Sequence, residues 1–135
     1  MRINTEWRRF GEGFELRLFP VIRKNFGEDL VRTKRWEKFD YKSPTKNIEL
    51  KSRRINSWEY SNTFISPNKL VLEDNKDTIF LFNFKDGLFF INYKENKERI
   101  DNCDIEEITL KSGMNKGEKR QNICIPINIL KKIEL

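Results

Sequence analysis

The 135-residue sequence contains no histidine, only two cysteines and no long apolar run. Without an imidazole the chain cannot form a Ser-His-Asp or Cys-His nucleophilic system, an HEXXH metalloprotease motif or a histidine-dependent metal nuclease site. The six glycines do not form a GxxxxGK[ST] or GxGxxG phosphate-binding loop either. Any catalysis therefore has to rest on carboxylates, lysine and a metal ion.

The cysteines and the hydropathy pattern indicate an ordinary intracellular protein. Cys103 and Cys124 have no second cysteine or histidine at the short spacing that zinc ligation uses, so a pair of buried thiols is favoured over a disulfide or a metal site. No apolar run approaches the roughly 18 residues of a membrane span, and Met1-Arg2 leads into charged residues. We expect a soluble, intracellular chain without membrane contact.

The composition favours a folded chain of one domain. Hydrophobic residues make up 37% of the sequence and aromatic residues 13%, with eleven phenylalanines among them. This content argues against disorder, although 36% of the residues are charged. The prediction is a single α/β domain over residues 1–135, with a mixed central sheet and flanking helices.

The apolar spacing in the first half predicts a helix and a strand pair. Residues 5–26 have helical periodicity, although Pro20 should kink the helix or divide it into two shorter ones. Residues 32–54 read as two strands around the turn 43–46. Pairing about this turn places Lys42 opposite Asn47, Tyr41 opposite Ile48 and Asp40 opposite Glu49.

The second half predicts a central hairpin between less regular segments. Residues 66–77 suggest a short helix, and apolar strands at 78–84 and 88–94 flank an Asp-Gly turn. The polar stretch 96–121 suggests a mobile surface loop. A strand at "ICIP" and a closing helix at "INILKKIE" complete the expected domain.

Positive charge is concentrated around the predicted strand pair. Residues 32–54 contain nine Lys/Arg and three acids, which equals the whole net excess of +6. This distribution suggests a polyanion partner, most simply nucleic acid, and the alternative is a lysine-rich pair of solvated strands. The candidate phosphate contacts are Lys42, Lys46, Arg53, Arg54 and Lys69. Trp36 and Trp58 could stack on bases, but packing in the core is favoured for both.

Two acids and a lysine on one face of the strand pair are the candidate catalytic group. Like charges across a strand pair are unfavourable unless a cation offsets them, and Mg²⁺ prefers carboxylate oxygens. Lys51 lies two residues after Glu49, on the same face. Glu15 is a third acid, on the apolar stripe of the first helix. The alternatives are an exposed ion-pair cluster and, for Glu15, a salt bridge to Lys51.

This pattern resembles the PD-(D/E)XK nuclease superfamily. The match is Asp40, a turn, and then Glu49-Leu50-Lys51, with Phe39 in place of the proline of the signature. An acid two residues before a lysine also occurs elsewhere in the chain, but only Glu49 has a partner acid across a turn. Segments over roughly residues 10–132, among them "FNFKDGLFFINYK", are similar to small nuclease-like proteins of large DNA viruses and phages.

The resemblance implies a restriction-endonuclease-like core and a metal-dependent reaction. Asp40, Glu49 and the Leu50 carbonyl would ligate Mg²⁺, with Mn²⁺ as a substitute, Lys51 would orient or activate water, and Glu15 matches an acid that many members carry on the first helix. The expected activity is DNA endonuclease, with DNA favoured over RNA. A chain this short favours recognition of DNA structure, as in a Holliday-junction resolvase or a repair nuclease, and family analogy suggests a homodimer acting in an infected cell.

Two other classes of function stay open. A catalytically inactive, basic nucleic-acid-binding or virion structural protein would keep the fold and lose the metal site. A generic interaction module would have no affinity for nucleic acid.

Overall fold

The structure is a computed structural model that describes the backbone of residues 5–134 and the side chains of residues 13–134. Its two α-helices are α1 (Thr5–Phe26) and α2 (Lys97–Asp101). The nine strands are β1 (Val31–Arg32), β2 (Tyr41–Lys42), β3 (Lys46–Ser52), β4 (Asn62–Ile65), β5 (Asp77–Phe84), β6 (Gly87–Asn92), β7 (Ile105–Thr109), β8 (Lys119–Pro126) and β9 (Lys131–Lys132). Two short 3₁₀ turns, Pro67–Lys69 and Ile127–Ile129, complete the elements.

Helix α1 is one element, so Pro20 does not divide it as expected. Its apolar residues pack against the central sheet, and Ile22 is fully buried there. Pro20 lies on the exposed side of the helix. Packing of the opposite face stabilises the helix on both sides of the proline. Gly27 ends the helix with a φ of +142°, and its N–H donates to the Arg23 carbonyl at 2.9 Å.

The strands form two sheets. The central sheet has the order β1-β2-β3-β5-β6-β9, with β3 and β5 parallel and all other neighbours antiparallel. The second sheet is antiparallel, in the order β4-β8-β7. The central sheet is therefore mixed, as the sequence predicts. None of the helices in the described residues is long and apolar enough to cross a membrane.

Alternation along β5 divides the apolar interior into two cores. Ile79 and Leu81 pack on the side of α1, in a core that we call the helix-side core. Phe80, Phe82 and Phe84 point to the opposite face, where they meet the second sheet in the sheet-side core. Because both faces are covered, β5 is apolar on nearly every residue. Helix, central sheet and second sheet thus form one three-layered α/β domain.

The predicted hairpins are confirmed, although β2 is shorter than expected. Tyr41 pairs with Ile48 and Lys42 with Asn47 around the turn 43–46. Strands β5 and β6 pair through the Asp-Gly turn, from Phe84 and Gly87 outward. Residues 33–40 form turns and bends, so only two residues of the predicted first strand pair with β3.

The predictions for the polar and C-terminal segments are confirmed only in part. The short helix predicted within 66–77 is a single 3₁₀ turn, which starts after Ser66 with Pro67 at its first position. The segment 96–121 is not one loop, because it holds α2, β7 and the start of β8. Strand β7 is an edge strand with four exposed residues out of five, so it has no apolar alternation to detect. The predicted closing helix is a 3₁₀ turn followed by β9, where Lys131 and Lys132 pair with Phe90 and Phe89 of β6.

Candidate functional site

Glu49 is a buried carboxylate in the middle of β3. It pairs with Phe80 of β5 and is 5% exposed. The Lys51 ammonium lies 3.1 Å from its Oε1, and the Lys69 ammonium lies 3.3 Å from its Oε2. Despite this proximity, Oε2 has no partner in hydrogen-bonding geometry among the described residues. A buried oxygen with an unused acceptor position is costly unless a further cation or donor reaches it.

Asp40 reaches β3 through its side chain. The backbone N–H of Asp40 donates to Ile48 O at 2.9 Å, but the ladder pairs this same Ile48 with Tyr41, and it ends there. The predicted pairing of Asp40 with Glu49 is therefore absent from the ladder. Instead, Asp40 Oδ2 accepts a hydrogen bond of 2.8 Å from the Leu50 N–H. The Asp40 carboxylate thus provides an acceptor for the Leu50 N–H of β3, which lies beyond the end of the two-residue β2.

Helix α1 brings Glu15 to the same place. The Tyr41 hydroxyl donates to the Glu15 main-chain carbonyl at 2.6 Å and joins the helix to β2. The Glu15 carboxylate lies close enough to Asp40 to hydrogen-bond with it. Its ion-pair partner is Arg32, at 3.9 Å, while Lys51 pairs with Glu49. The alternative of a Glu15–Lys51 salt bridge is therefore not found.

Burial is the largest cause of the raised pKa values of Asp40 and Glu49. Burial raises the pKa of Asp40 from 3.8 to about 7; the Leu50 N–H opposes this shift, and the Glu15 carboxylate adds to it. Burial also raises the pKa of Glu49, and Asp40 contributes, against the opposing charges of Lys51 and Lys69. Glu15, Asp40, Glu49 and Lys51 thus form one interacting cluster, which we call the carboxylate cluster. A cation bound here would favour the charged forms of these acids.

The donor set fits a hard divalent ion with few protein ligands. In the part of the chain whose side chains are described, no group of three or more acids or cysteines is arranged to hold a metal. The predicted ligands are two carboxylates, Asp40 and Glu49, and the Leu50 carbonyl. Mg²⁺ characteristically binds through one or two carboxylates together with substrate phosphate and water. Glu49 Oε2, which pairs with the Lys69 ammonium but accepts no hydrogen bond from the described residues, supplies an oxygen for such an ion.

A cleft of about 760 Å³ opens beside the carboxylate cluster. Lys51 and Arg53 of the central sheet form one wall, and Arg120 of β8 forms part of the other. The remaining lining residues are Phe64, Ser66, Pro67, Asn68, Glu118, Gln121 and Asn122. Three cations, one acid and several neutral hydrogen-bonding groups suit a phosphate backbone. Lys51 connects this cleft to Glu49.

The predicted phosphate contacts fall in different environments. Lys42 lies 2.6 Å from the Glu37 carboxylate, and Lys46 is half-buried at the start of β3. Arg54 is exposed and lines another cavity. Arg53 lines the cleft; its side chain donates to Phe64 O at 3.0 Å, and burial lowers its pKa. Of the five, only Arg53 lines the cleft.

Lys69 contacts the carboxylate cluster through Glu49 and does not line the cleft. Its ammonium pairs with Glu49, donates to the Lys38 main-chain carbonyl and lies 5.6 Å from the centre of the Phe39 ring. The 3₁₀ turn at Pro67–Lys69 directs the side chain inward. In the sequence, Lys69 is a basic residue in a polar segment, and no local pattern indicated the buried Glu49 as its partner.

Three further expectations differ from the structure. Trp36 is 80% exposed and Trp58 is 75% exposed, so core packing is wrong for both. Cys103 and Cys124 are free thiols, half-buried where full burial was expected. Arg120 was not predicted as a site residue, because it lies in the segment that was read as a loop. Its place in the cleft depends on pairing between β7 and β8, which the sequence pattern does not reveal.

No family model matches the chain, and comparisons with curated proteins and with solved structures find no significant match.

Proposed function

We propose that the protein is a Mg²⁺-dependent endonuclease that hydrolyses phosphodiester bonds in DNA and belongs to the PD-(D/E)XK superfamily. The observation that carries the proposal is the carboxylate cluster. Glu49 is buried and Asp40 is half-buried, both acids have raised pKa values, and Lys51 lies between them and a cationic cleft. Buried like charges are retained where their interaction with a cation or a substrate is needed.

The fold supports a restriction-endonuclease-like core. An acid precedes β2, a four-residue turn follows, and β3 carries the second acid with a lysine two residues later. Upstream, helix α1 contributes a third acid, and the Tyr41 hydroxyl ties this helix to the hairpin. The elements that the resemblance requires are therefore adjacent in space as well as in sequence.

The chain's own groups have separable roles in the proposed reaction. Asp40, Glu49 and the Leu50 carbonyl would hold the ion, which would polarise the phosphate and lower the pKa of a bound water. The Lys51 ammonium faces the cleft and stabilises the negative charge that develops on the phosphoryl oxygens. Arg53 and Arg120 bind neighbouring phosphates. Glu15 maintains the negative field around Asp40.

The residues that line the cleft also indicate which parts of a DNA substrate it would contact. Its polar lining consists of lysine, arginine and amide groups that suit phosphate and sugar, which position DNA without reading sequence. We therefore propose recognition of DNA structure, such as branches, nicks or junctions. A homodimer would place two cleavage sites on the two strands of one substrate.

Cleavage assays on defined DNA test the proposal. Linear, nicked and four-way-junction DNA are incubated with Mg²⁺ or with chelator, and cleavage is expected only with the metal. Asp40→Asn, Glu49→Gln and Lys51→Ala should each abolish cleavage, while binding measured in chelator persists. Asp86→Asn is the matched control, because Asp86 lies outside the cluster and accepts its hydrogen bonds from Ser57. Cleavage at the wild-type rate by any cluster variant would overturn the mechanism.

A second candidate is a non-catalytic nucleic-acid-binding or virion structural protein. The observation that favours it is the neutralisation of Glu49 by Lys51 and Lys69, which lets the buried acid persist without a metal. A calorimetric Mg²⁺ titration separates the two functions. The endonuclease requires a saturable site that Glu49→Gln removes, whereas the structural protein requires none.

A further inference from the structure

A second pocket lies next to the cleft, on the far side of Phe64. Its volume is about 340 Å³, and its surface is mainly apolar. The lining residues are Arg53, Ile55, Tyr60, Ser61, Asn62, Thr63 and Phe64. Arg53 and Phe64 also line the cleft, so the two cavities share a wall. We call this second cavity the β4 pocket.

The β4 pocket offers an aromatic surface and a free amide. Tyr60 is 65% exposed, which is unusual for so large a side chain without a partner to cover it. The Asn62 side chain makes no hydrogen bond with any other residue whose side chain the structure describes. An amide presents two donors and an acceptor, and it can therefore pair with the polar edge of a heterocycle.

Arg53 places positive charge at the wall between the pocket and the cleft. Its guanidinium is held by the hydrogen bond to Phe64 O, so its position does not depend on a ligand. An apolar slot beside a fixed cation suits a flat ring attached to an anionic backbone. A lipid chain or an apolar peptide side chain would use the apolar wall but not the neighbouring charge. Charge complementarity and continuity with the cleft therefore single out one kind of occupant.

We propose that the β4 pocket binds an unstacked nucleobase of a strand whose phosphates lie in the cleft. Tyr60 provides the stacking surface, Asn62 contacts the base edge, and Arg53 contacts the adjoining phosphate. The inference rests on the proposed function to the extent that the cleft binds nucleic acid. It adds that the protein takes up single-stranded or locally unpaired DNA, because a base within a duplex cannot enter a pocket.

Binding of a labelled single strand tests the proposal without cleavage. Fluorescence anisotropy is recorded in chelator with a DNA strand of about 12 nucleotides and with an equally long strand of abasic sites. The wild type should bind the strand with bases about tenfold more tightly, since stacking of one base contributes this much. Tyr60→Ala should lose that preference, and Tyr60→Phe should retain it. Asn62→Ala should reduce it.

Trp36→Ala is the control, since Trp36 is an even more exposed aromatic residue but does not line the pocket. It should keep the preference for the strand with bases. Equal binding of both strands by the wild type, or an unchanged preference in Tyr60→Ala, overturns the nucleobase pocket and leaves the endonuclease proposal intact. Absence of binding to either strand also overturns the nucleobase pocket, whereas the endonuclease proposal is decided by cleavage of the linear, nicked and four-way-junction DNA.

Discussion

Neutralising Asp40 should stabilise the protein and abolish the proposed cleavage of DNA. In the wild type, Asp40 is half-buried beside Glu15 and near Glu49, so its negative charge is unfavourable in the folded state. Asp40→Asn removes the charge and retains an oxygen that can accept the hydrogen bond from the Leu50 N–H. The substitution therefore relieves the repulsion without loss of the contact between the segment before β2 and β3.

The magnitude follows from the pKa of Asp40, which rises from 3.8 to about 7 on folding. Between these pH values the folded state binds more protons than the unfolded state, so the free energy of unfolding falls as pH rises. The full cost is reached above the folded pKa and amounts to about 4 kcal/mol. At about pH 8, Asp40→Asn should increase the free energy of unfolding by up to this amount, and at about pH 4.5 by only about 1 kcal/mol.

Urea unfolding at the two pH values measures the effect, and Asp86→Asn provides a control of opposite sign. Burial raises the pKa of Asp86, but hydrogen bonds from the Ser57 hydroxyl and N–H outweigh this effect and hold the pKa below its usual value. Its charge therefore contributes stability above the unfolded pKa, and this contribution is lost as pH falls through the folded pKa. Asp86→Asn should destabilise at about pH 8 and have a smaller effect at low pH.

Two results would refute the reasoning about Asp40. One is an Asp40→Asn variant that is less stable than the wild type at about pH 8. The other is a stability difference between the two proteins that does not change with pH. Added Mg²⁺ extends the test, because ligand binding to the folded state should raise the stability of the wild type and not that of Asp40→Asn.

Two further predictions concern the charges and the core around the carboxylate cluster. Lys69→Met keeps an apolar side chain but removes the ammonium, which pairs with Glu49 and lies over the Phe39 ring. It should lower stability by about 1–2 kcal/mol at about pH 8 and tighten Mg²⁺ binding in calorimetry, and weaker Mg²⁺ binding would contradict this. Phe82→Ala empties a fully buried position of the sheet-side core and should lower the free energy of unfolding in urea by about 3–5 kcal/mol. Trp36→Ala, at an exposed position, should change it by less than about 0.5 kcal/mol. Similar losses for the two variants would contradict the assignment of this core.

Local signals made much of the fold predictable. The Asp-Gly turn and the apolar runs on either side of it predicted β5 and β6, because two-residue turns determine hairpin register. Helical spacing likewise predicted α1, and the turn 43–46 predicted the pairing of Tyr41 with Ile48. These features depend on residues that are close in sequence, so their energetics can be read from a short segment.

Strands stabilised mainly by distant partners were not predictable. Residues 131–132 form a strand only because β6 offers them an unpaired edge, while their own sequence favoured a helix. Strand β7 is similarly polar, and its pairing with β8 determines its conformation. Secondary-structure preference is weak compared with the free energy of completing a sheet.

The sequence by itself determined the composition of the carboxylate cluster. The spacing of Asp40, Glu49 and Lys51 around a turn places them near one another in any hairpin, and the absence of histidine restricts the chemistry open to them. Only the tertiary structure decided their environment. It buried Glu49 under the second sheet, brought Lys69 to its carboxylate and placed Arg120 across the cleft. Burial and charge neutralisation depend on which distant segments pack together, and no local pattern of residues encodes that choice.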